Sequence, residues 1–278
     1  MKIEKVIFTI DDNPHYKGFW KSISRHFKEN MGIESKLFII SKDDMTGTYS
    51  SEYGEVEHVD VLEGIPTIIQ ALIGKFYFTK TEPKTTWLIG DLDLYPLQKN
   101  HFTDSIKDIS DDKYVHLHPY AYGEKWRDSY AGLAGFFHVA KGSVFERELN
   151  LNKTFREVCL EIYESNKYGI KFYHNRAAEV SKKASPDWGW FCSEEMYTGD
   201  LLKNSTSLVE VPPSDGYLRL DRGNMAKPDV IEQKLMGLNY EEEKLINNKY
   251  IDFHSPRPYE EYEDEIEKLI LIPTDFNK

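Results

Sequence analysis

The sequence predicts an α/β fold with a mostly parallel central sheet flanked by helices and a more irregular C-terminal half. Three observations carry this expectation. Short apolar, β-branched runs alternate with segments of helical period through the first half of the chain. The runs are apolar throughout, as in strands covered on both faces. The 278 residues are enough for one sizeable core.

The elements follow in order. Residues 5–10 (KVIFTI) read as a buried strand, stopped by the loop signal Asp11-Asp12-Asn13-Pro14. Phe19, Trp20, Ile23, Phe27 and Met31 recur at helical spacing, and Gly32 closes that helix. Residues 35–40 (SKLFII) form a second strand. Ile65, Ile68, Ile69, Leu72, Ile73 and Phe76 share one helix face, with Pro66 in the first turn. Residues 85–90 (TTWLIG) form a third strand, which runs into Asp91-Leu92-Asp93. Residues 114–117 and 135–140 are further strands, and 154–166 a helix. Later, 207–211 and 249–253 read as strands, and Pro256 and Pro258 break the chain. Tyr259, Tyr262, Ile266, Leu269 and Ile270 then mark an amphipathic C-terminal helix whose outer face is acidic and solvated. No internal repeat or linker interrupts the chain, so a single domain is expected over 1–278.

Lys and Arg total 35 against 47 Asp and Glu, a net charge of −12. That excess disfavours a nucleic acid polymer, which needs a basic surface to displace its counterions. It disfavours an anionic membrane face for the same reason. The start of the chain lacks a signal-peptide pattern and no apolar run reaches roughly 18 residues. A cytoplasmic protein without a membrane span is therefore expected. Two cysteines make neither a disulfide framework nor a zinc site. Aromatic residues are 14% of the chain, which suits a dense core or flat-ring stacking on sugars and bases.

The chemistry concentrates at TTWLIGDLDLYPL. In extended backbone, residues i and i+2 point the same way, so Asp91 and Asp93 are expected to converge at the C-terminal end of a strand. Open α/β sheets bind ligands at that edge. Two carboxylates so close repel unless a cation lies between them or one is protonated. Oxygen ligands there suit Mg²⁺ or Mn²⁺ completed by substrate phosphates.

A strand ending in an acidic loop, a long apolar helix, then an apolar strand running into Asp-x-Asp resembles the GT-A superfamily of nucleotide-sugar glycosyltransferases. The resemblance spans residues 1–254. It implies a GT-A, Rossmann-like sheet and transfer of a sugar from a nucleoside-diphosphate sugar, UDP- or GDP-linked, to a carbohydrate or other hydroxyl acceptor. It implies that Asp91 and Asp93 hold the metal, with His254, just after a late strand, as third ligand. It places the nucleotide at Thr9, Ile10 and Asp11, with Tyr16 stacking on the base and Asp91-Leu92 nearby. Ala134-Gly135-Phe136-Phe137 matches the segment shaping the sugar pocket, and Ser193-Glu194-Glu195-Met196 the acidic helix start facing the sugar. The single domain would divide into a nucleotide-binding half, 1–110, a sugar- and acceptor-binding half, 111–258, and a C-terminal helix, 259–278.

The residues add their own reading. There is neither G-x-G-x-x-G nor G-x-x-x-x-G-K-[ST], so a metal is the expected phosphate anchor. Lys75 reads as a solvated lysine, with reach to phosphate as the alternative, and His116 and His118 as buried histidines of a strand, with a metal pair as the alternative. Tyr120, Tyr122, Trp126 and Arg127 make one aromatic cluster; Trp188 and Trp190 make another. An inverting transferase needs a carboxylate to take the acceptor proton, and Glu194, Glu195 and Asp187 are the candidates. Two alternatives stand beside the transferase. One is a haloacid-dehalogenase-like phosphotransferase with Asp91 as nucleophile, although Leu94 and Tyr95 depart from that family's pattern. The other is a non-catalytic carbohydrate-binding protein.

Overall fold

A computed structural model describes residues 1–119, 121, 132–165, 193–212, 219–221 and 250–270. Among these residues the strands β1 (Lys5–Asp11), β2 (Glu34–Ser41), β3 (Gly54–Asp60), β4 (Thr86–Ile89), β6 (Tyr114–His116), β7 (His138–Lys141) and β8 (Leu208–Glu210) form one sheet. Its order is β3-β2-β1-β4-β7-β6-β8. Neighbours pair parallel except at β7, which runs antiparallel to both β4 and β6. The expected mostly parallel sheet is therefore present. A smaller sheet, in the order β5-β10-β9, joins β5 (Leu94–Pro96), β10 (Asp252–His254) and β9 (Arg219–Asp221).

The continuous apolar runs are explained by burial on both faces. In β1, Val6, Phe8 and Ile10 enter one core while Ile7 enters the other. The helix α1 (Pro14–Lys17) opens the segment after β1, with the Asn13 side chain accepting from the His15 N–H at 3.1 Å. On the first side, α2 (Phe19–His26) and the widened turn Phe27–Met31 bring Phe19, Trp20, Ile23 and Phe27 onto the sheet. Phe8 meets Trp20 and Phe27 edge to face, with centroids 6.1 and 5.7 Å apart. Gly32 ends this helical segment at φ 71°, the left-handed cap that glycine adopts without a Cβ clash. The α8 helix (Glu263–Ile270) lies on the same side through Ile266, Leu269 and Ile270.

The opposite side is covered by α3 (Thr67–Tyr77), which buries Ile69, Ile73 and Phe76. It is joined there by α5 (Gly142–Glu148), α6 (Phe155–Ser165) and α7 (Ser193–Leu202). Helix α6 starts with a reciprocal cap. The Glu157 carboxylate accepts from the Thr154 N–H at 2.7 Å, and Thr154 Oγ1 accepts from the Glu157 N–H at 3.3 Å. The short α4 (Lys99–Thr103) follows β5.

Three differences from the sequence reading have simple causes. Strand β3 was not expected, because its sequence GEVEHVD is largely polar; among the described residues it is an edge strand that pairs with β2 alone. Pro66 caps α3 in extended geometry, ψ 132°, one step before the helix rather than inside it. Strand β7 begins at His138 rather than at 135, because Phe137 takes φ 57° and bends the chain before it pairs. The expected aromatic clusters at Tyr120, Tyr122, Trp126, Arg127, Trp188 and Trp190 lie outside the described residues, as do Asp187, residue 249 and residues 271–278. No helix among the described residues is long and apolar enough to cross a membrane.

Candidate active site

Strand β4 is buried along its whole length and ends at Ile89. The chain then turns, with the Leu94 N–H donating to the Asp91 carbonyl at 3.1 Å. Asp91 and Asp93 thus come off a turn rather than from extended backbone. The reason is that Leu92 and Leu94 both enter the first core and β5 starts directly at Leu94. The two carboxylates consequently meet different partners.

Asp91 Oδ1 lies 2.6 Å from Lys75 Nζ, near the end of α3. Lys75 is only 3% exposed, so the expected solvated lysine is instead an internal cation. Its burial would lower its pKa, but the Asp91 and Glu194 carboxylates outweigh that and hold the ammonium above its ordinary value. Glu194 Oε1 lies 3.8 Å from Lys75 Nζ. Glu194 and Glu195 begin α7 and are both buried, not solvated against the helix dipole. Burial pushes Glu194 up to about 7, with Lys75 pulling down and Asp91 adding to the rise. Glu194 Oε2 has no hydrogen-bond partner among the described residues. Glu195 Oε1 accepts from the Gly135 N–H at 3.1 Å, and the Glu195 carbonyl from the Leu133 N–H at 3.2 Å. Those bonds lace residues 133–135 to the start of α7. Gly135 is required here, since a Cβ at that position would sit 2.5 Å from Glu194 Oε1.

Asp93 is buried, and its Oδ2 lies 3.4 Å from His254 Nε2 and 3.1 Å from Arg257 Nε. Register explains the meeting: β10 pairs antiparallel with β5 and sets His254 opposite Leu94. The Ser255 N–H donates to the Asp93 carbonyl at 2.8 Å and locks the crossing. The Arg257 guanidinium lies 4.7 Å from the Tyr16 ring centroid, so Tyr16 stands at the same place. Burial lowers Arg257 to about 10. Arg257 was missed in the sequence, where it reads as part of a proline-broken stretch; its position three residues beyond His254 was the available signal.

At the end of β1, Asp11 Oδ2 accepts from Thr67 Oγ1 at 3.0 Å and Oδ1 from the Asn13 N–H at 3.3 Å. Burial raises its pKa despite those bonds. Thr9 donates its hydroxyl to the Ala71 carbonyl of α3. Ile10 and Leu92 have side chains in the first core, so only their backbone is available to a ligand.

Among the described residues no three His, Cys, Asp or Glu side chains stand together as a metal-holding group. The donor types nonetheless fit a hard divalent cation. Two ligands about 2.1 Å from an octahedral ion sit about 3 Å apart, close to the Asp93–His254 separation of 3.4 Å. Asp91 Oδ1 is already paired with Lys75 Nζ.

His116 in β6 and His118, two residues beyond the strand's end, are both buried, as expected, but have separate partners. His116 stacks on His138 with centroids 4.3 Å apart. His118 Nδ1 lies 3.2 Å from Asp252 Oδ2, and Arg219 Nε 2.9 Å from Asp252 Oδ1. Burial pushes Asp252 up, but Arg219 and His118 together hold it down at about 2. This buried network ties the small sheet to the segment just after β6, two residues before His254. It is a second feature that the sequence reading did not find.

No family model matches the chain, and no curated protein sequence matches it. Several solved glycosyltransferase structures are similar to it over nearly its whole length. The galactosyltransferase LgtC, in complex with donor and acceptor sugar analogues, is 10% identical, covers 98% of each chain and gives a TM-score of 0.47. The glycosyltransferase GlyE of Streptococcus pneumoniae TIGR4 is 10% identical over 99% of this chain and 62% of its own, with a TM-score of 0.45. The apo form of the bifunctional glycosyltransferase WbbM is 12% identical over 98% of this chain and 50% of its own, with a TM-score of 0.41. The chain thus spans less than two thirds of the latter two.

Proposed function

We propose that this chain is a metal-dependent glycosyltransferase that moves a sugar from a UDP- or GDP-linked donor to a carbohydrate or other hydroxyl acceptor. One observation carries the reading. Asp93, His254 and Arg257 meet beside the turn that also presents Asp91, at the carboxyl end of β4. Carboxylate and imidazole donors beside a guanidinium suit a diphosphate bound with its cation. Mn²⁺ or Mg²⁺ held by Asp91, Asp93 and His254 would supply neutralisation of charge on the diphosphate leaving group.

The chain's own residues do the rest. Arg257 presents a guanidinium to the leaving diphosphate. Tyr16, under Arg257, and Asp11, at the end of β1, hold the nucleotide end. Glu194 is the acidic residue of the α7 start that faces the site, while Glu195 has one oxygen on the Gly135 N–H. A carboxylate with a pKa of about 7 is matched to taking an acceptor proton, or it holds a donor-sugar hydroxyl in a retaining reaction.

The test is Mn²⁺-dependent release of nucleoside diphosphate from a panel of UDP- and GDP-sugars. Release that depends on metal and disappears in Asp93→Ala supports the reading. Phosphate-ester hydrolysis with a trapped phospho-Asp91 overturns it in favour of a phosphotransferase. Absence of any turnover or stabilisation with every nucleotide and Mn²⁺ favours a non-catalytic carbohydrate-binding protein.

A further inference from the structure

Lys75 stands between two carboxylates of different kinds. Its Nζ lies 2.6 Å from Asp91 Oδ1 and 3.8 Å from Glu194 Oε1. The Asp91 side chain is about one-third open to solvent, at 35% exposure, whereas Glu194 is closed off at 5%. We infer that Lys75 is a built-in competitor for the divalent metal at Asp91, and that Glu194 is the seat to which its ammonium moves when metal binds. This inference rests on the metal reading of Asp91 and Asp93 given above.

Without metal, Asp91 already has a counter-ion from within the fold. A divalent cation arriving from the open side of Asp91 brings a second positive charge next to the buried ammonium. Like charges in a poorly screened site repel, so the ammonium must leave or the metal must bind weakly. Lys75 has a flexible four-carbon stem, and the distance still to be closed to Glu194 is about 1 Å beyond hydrogen-bond length. The receiving carboxylate is ready for it. Glu194 Oε2 makes no hydrogen bond among the described residues. The carboxylate also sits against the bare Cα of Gly135, where any Cβ would displace it. The ammonium is then on Asp91 without metal and on Glu194 with it. Lys75 is thus a positioning residue, which ties the orientation of Glu194 to occupation of the metal site.

The experiment is Mn²⁺ binding to the full chain, read as free Mn²⁺ by electron paramagnetic resonance with no sugar donor present. Lys75→Met should bind Mn²⁺ about tenfold more tightly than wild type, because the competitor is gone. Glu194→Gln should bind it several-fold more weakly, because the ammonium has lost its second seat. Asp91→Asn should lose most of the binding. A purely structural lysine would weaken metal binding when removed, so an unchanged or weaker affinity in Lys75→Met overturns the inference. If Lys75→Met does not fold, the near-isosteric Glu194→Gln decides: weaker binding supports the inference and unchanged binding overturns it. Wild-type chain that binds no Mn²⁺ overturns the metal reading together with this inference. Binding that is lost in Asp91→Asn but indifferent to the other two variants overturns this inference alone.

Discussion

Asp93 receives groups from one distant segment. His254 at the end of β10 and Arg257 just beyond it approach its carboxylate, and Ser255 donates to its carbonyl. Asp93→Asn keeps the volume but leaves Arg257 facing an amide. Turnover should fall by about 10²-fold or more, and stability by about 1–3 kcal/mol from the half-paired guanidinium. Nucleoside diphosphate release and urea unfolding measure the two effects, and near-wild-type turnover sinks the assignment. Gly135→Ala tests the other flank. The added methyl must push Glu194 aside, so a cost of about 1–3 kcal/mol is expected, with loss of sugar transfer and with Mn²⁺ binding weakened rather than abolished. A fully active alanine variant would mean that Glu194 does not need its observed position. At this scale the sequence was partly legible. Asp91, Asp93 and His254 stood out because acidic or imidazole side chains directly follow apolar strands. Lys75 did not, because an ammonium is buried only where carboxylates meet it, and one of its two partners lies in the second half of the chain.

The small sheet sets the position of His254. Strand β10 is fixed on one side by β5 and on the other by β9, and the Asp252 carboxylate is held by Arg219 and His118. Removing one member of a buried ionic set strands the others, at about 3–5 kcal/mol. Asp252→Ala should therefore lower unfolding free energy by that order, and Arg219→Met together with Asp252→Ala should recover part of it. A single-variant cost within error of zero in urea unfolding would show that the network does not hold β10. Elements were legible in proportion to their apolar content. The strands of the sheet interior declared themselves by runs such as KVIFTI, and α3 by its isoleucines. Strand β3 and the bend at 135–137 did not. An edge strand can be polar, and a left-handed phenylalanine is imposed by tertiary contacts such as the Phe137 N–H donating to the Ile89 carbonyl at 2.8 Å.

Across the whole molecule, buried titratable groups set the pH response. Burial lowers His26 from 6.5 to about 4, opposed by its bond to the Pro96 carbonyl, and lowers His138 to about 3. A histidine kept neutral by the fold contributes stability at pH above 6.5 that is lost as pH falls toward its folded value. His26 is worth roughly 3 kcal/mol and His138 roughly 5 kcal/mol. Glu194 has the opposite sign: its raised value contributes stability below 4.5 that is lost as pH rises through about 7. Unfolding free energy should therefore fall between pH 7 and 4.5, and His26→Gln should show a shallower slope. An unchanged slope in that variant would remove His26 as a cause. The fold class was legible in the order of runs along the chain, but the pairing of the small sheet was not, since its three strands come from remote places in the sequence.

That remoteness has a consequence in time. The strands β1 to β4 and their helices can assemble from the first ninety or so residues, leaving the turn at Asp91 and Asp93 with Lys75 close by. His254 and Arg257 are the last of the site's groups to be made. During synthesis the chain therefore holds the turn at Asp91 and Asp93 long before it holds a complete site. A ribosome-stalled chain ending before residue 250 should resist proteolysis over its N-terminal half yet fail to turn over any sugar donor, and a separately supplied C-terminal peptide would have to find β5 to restore it.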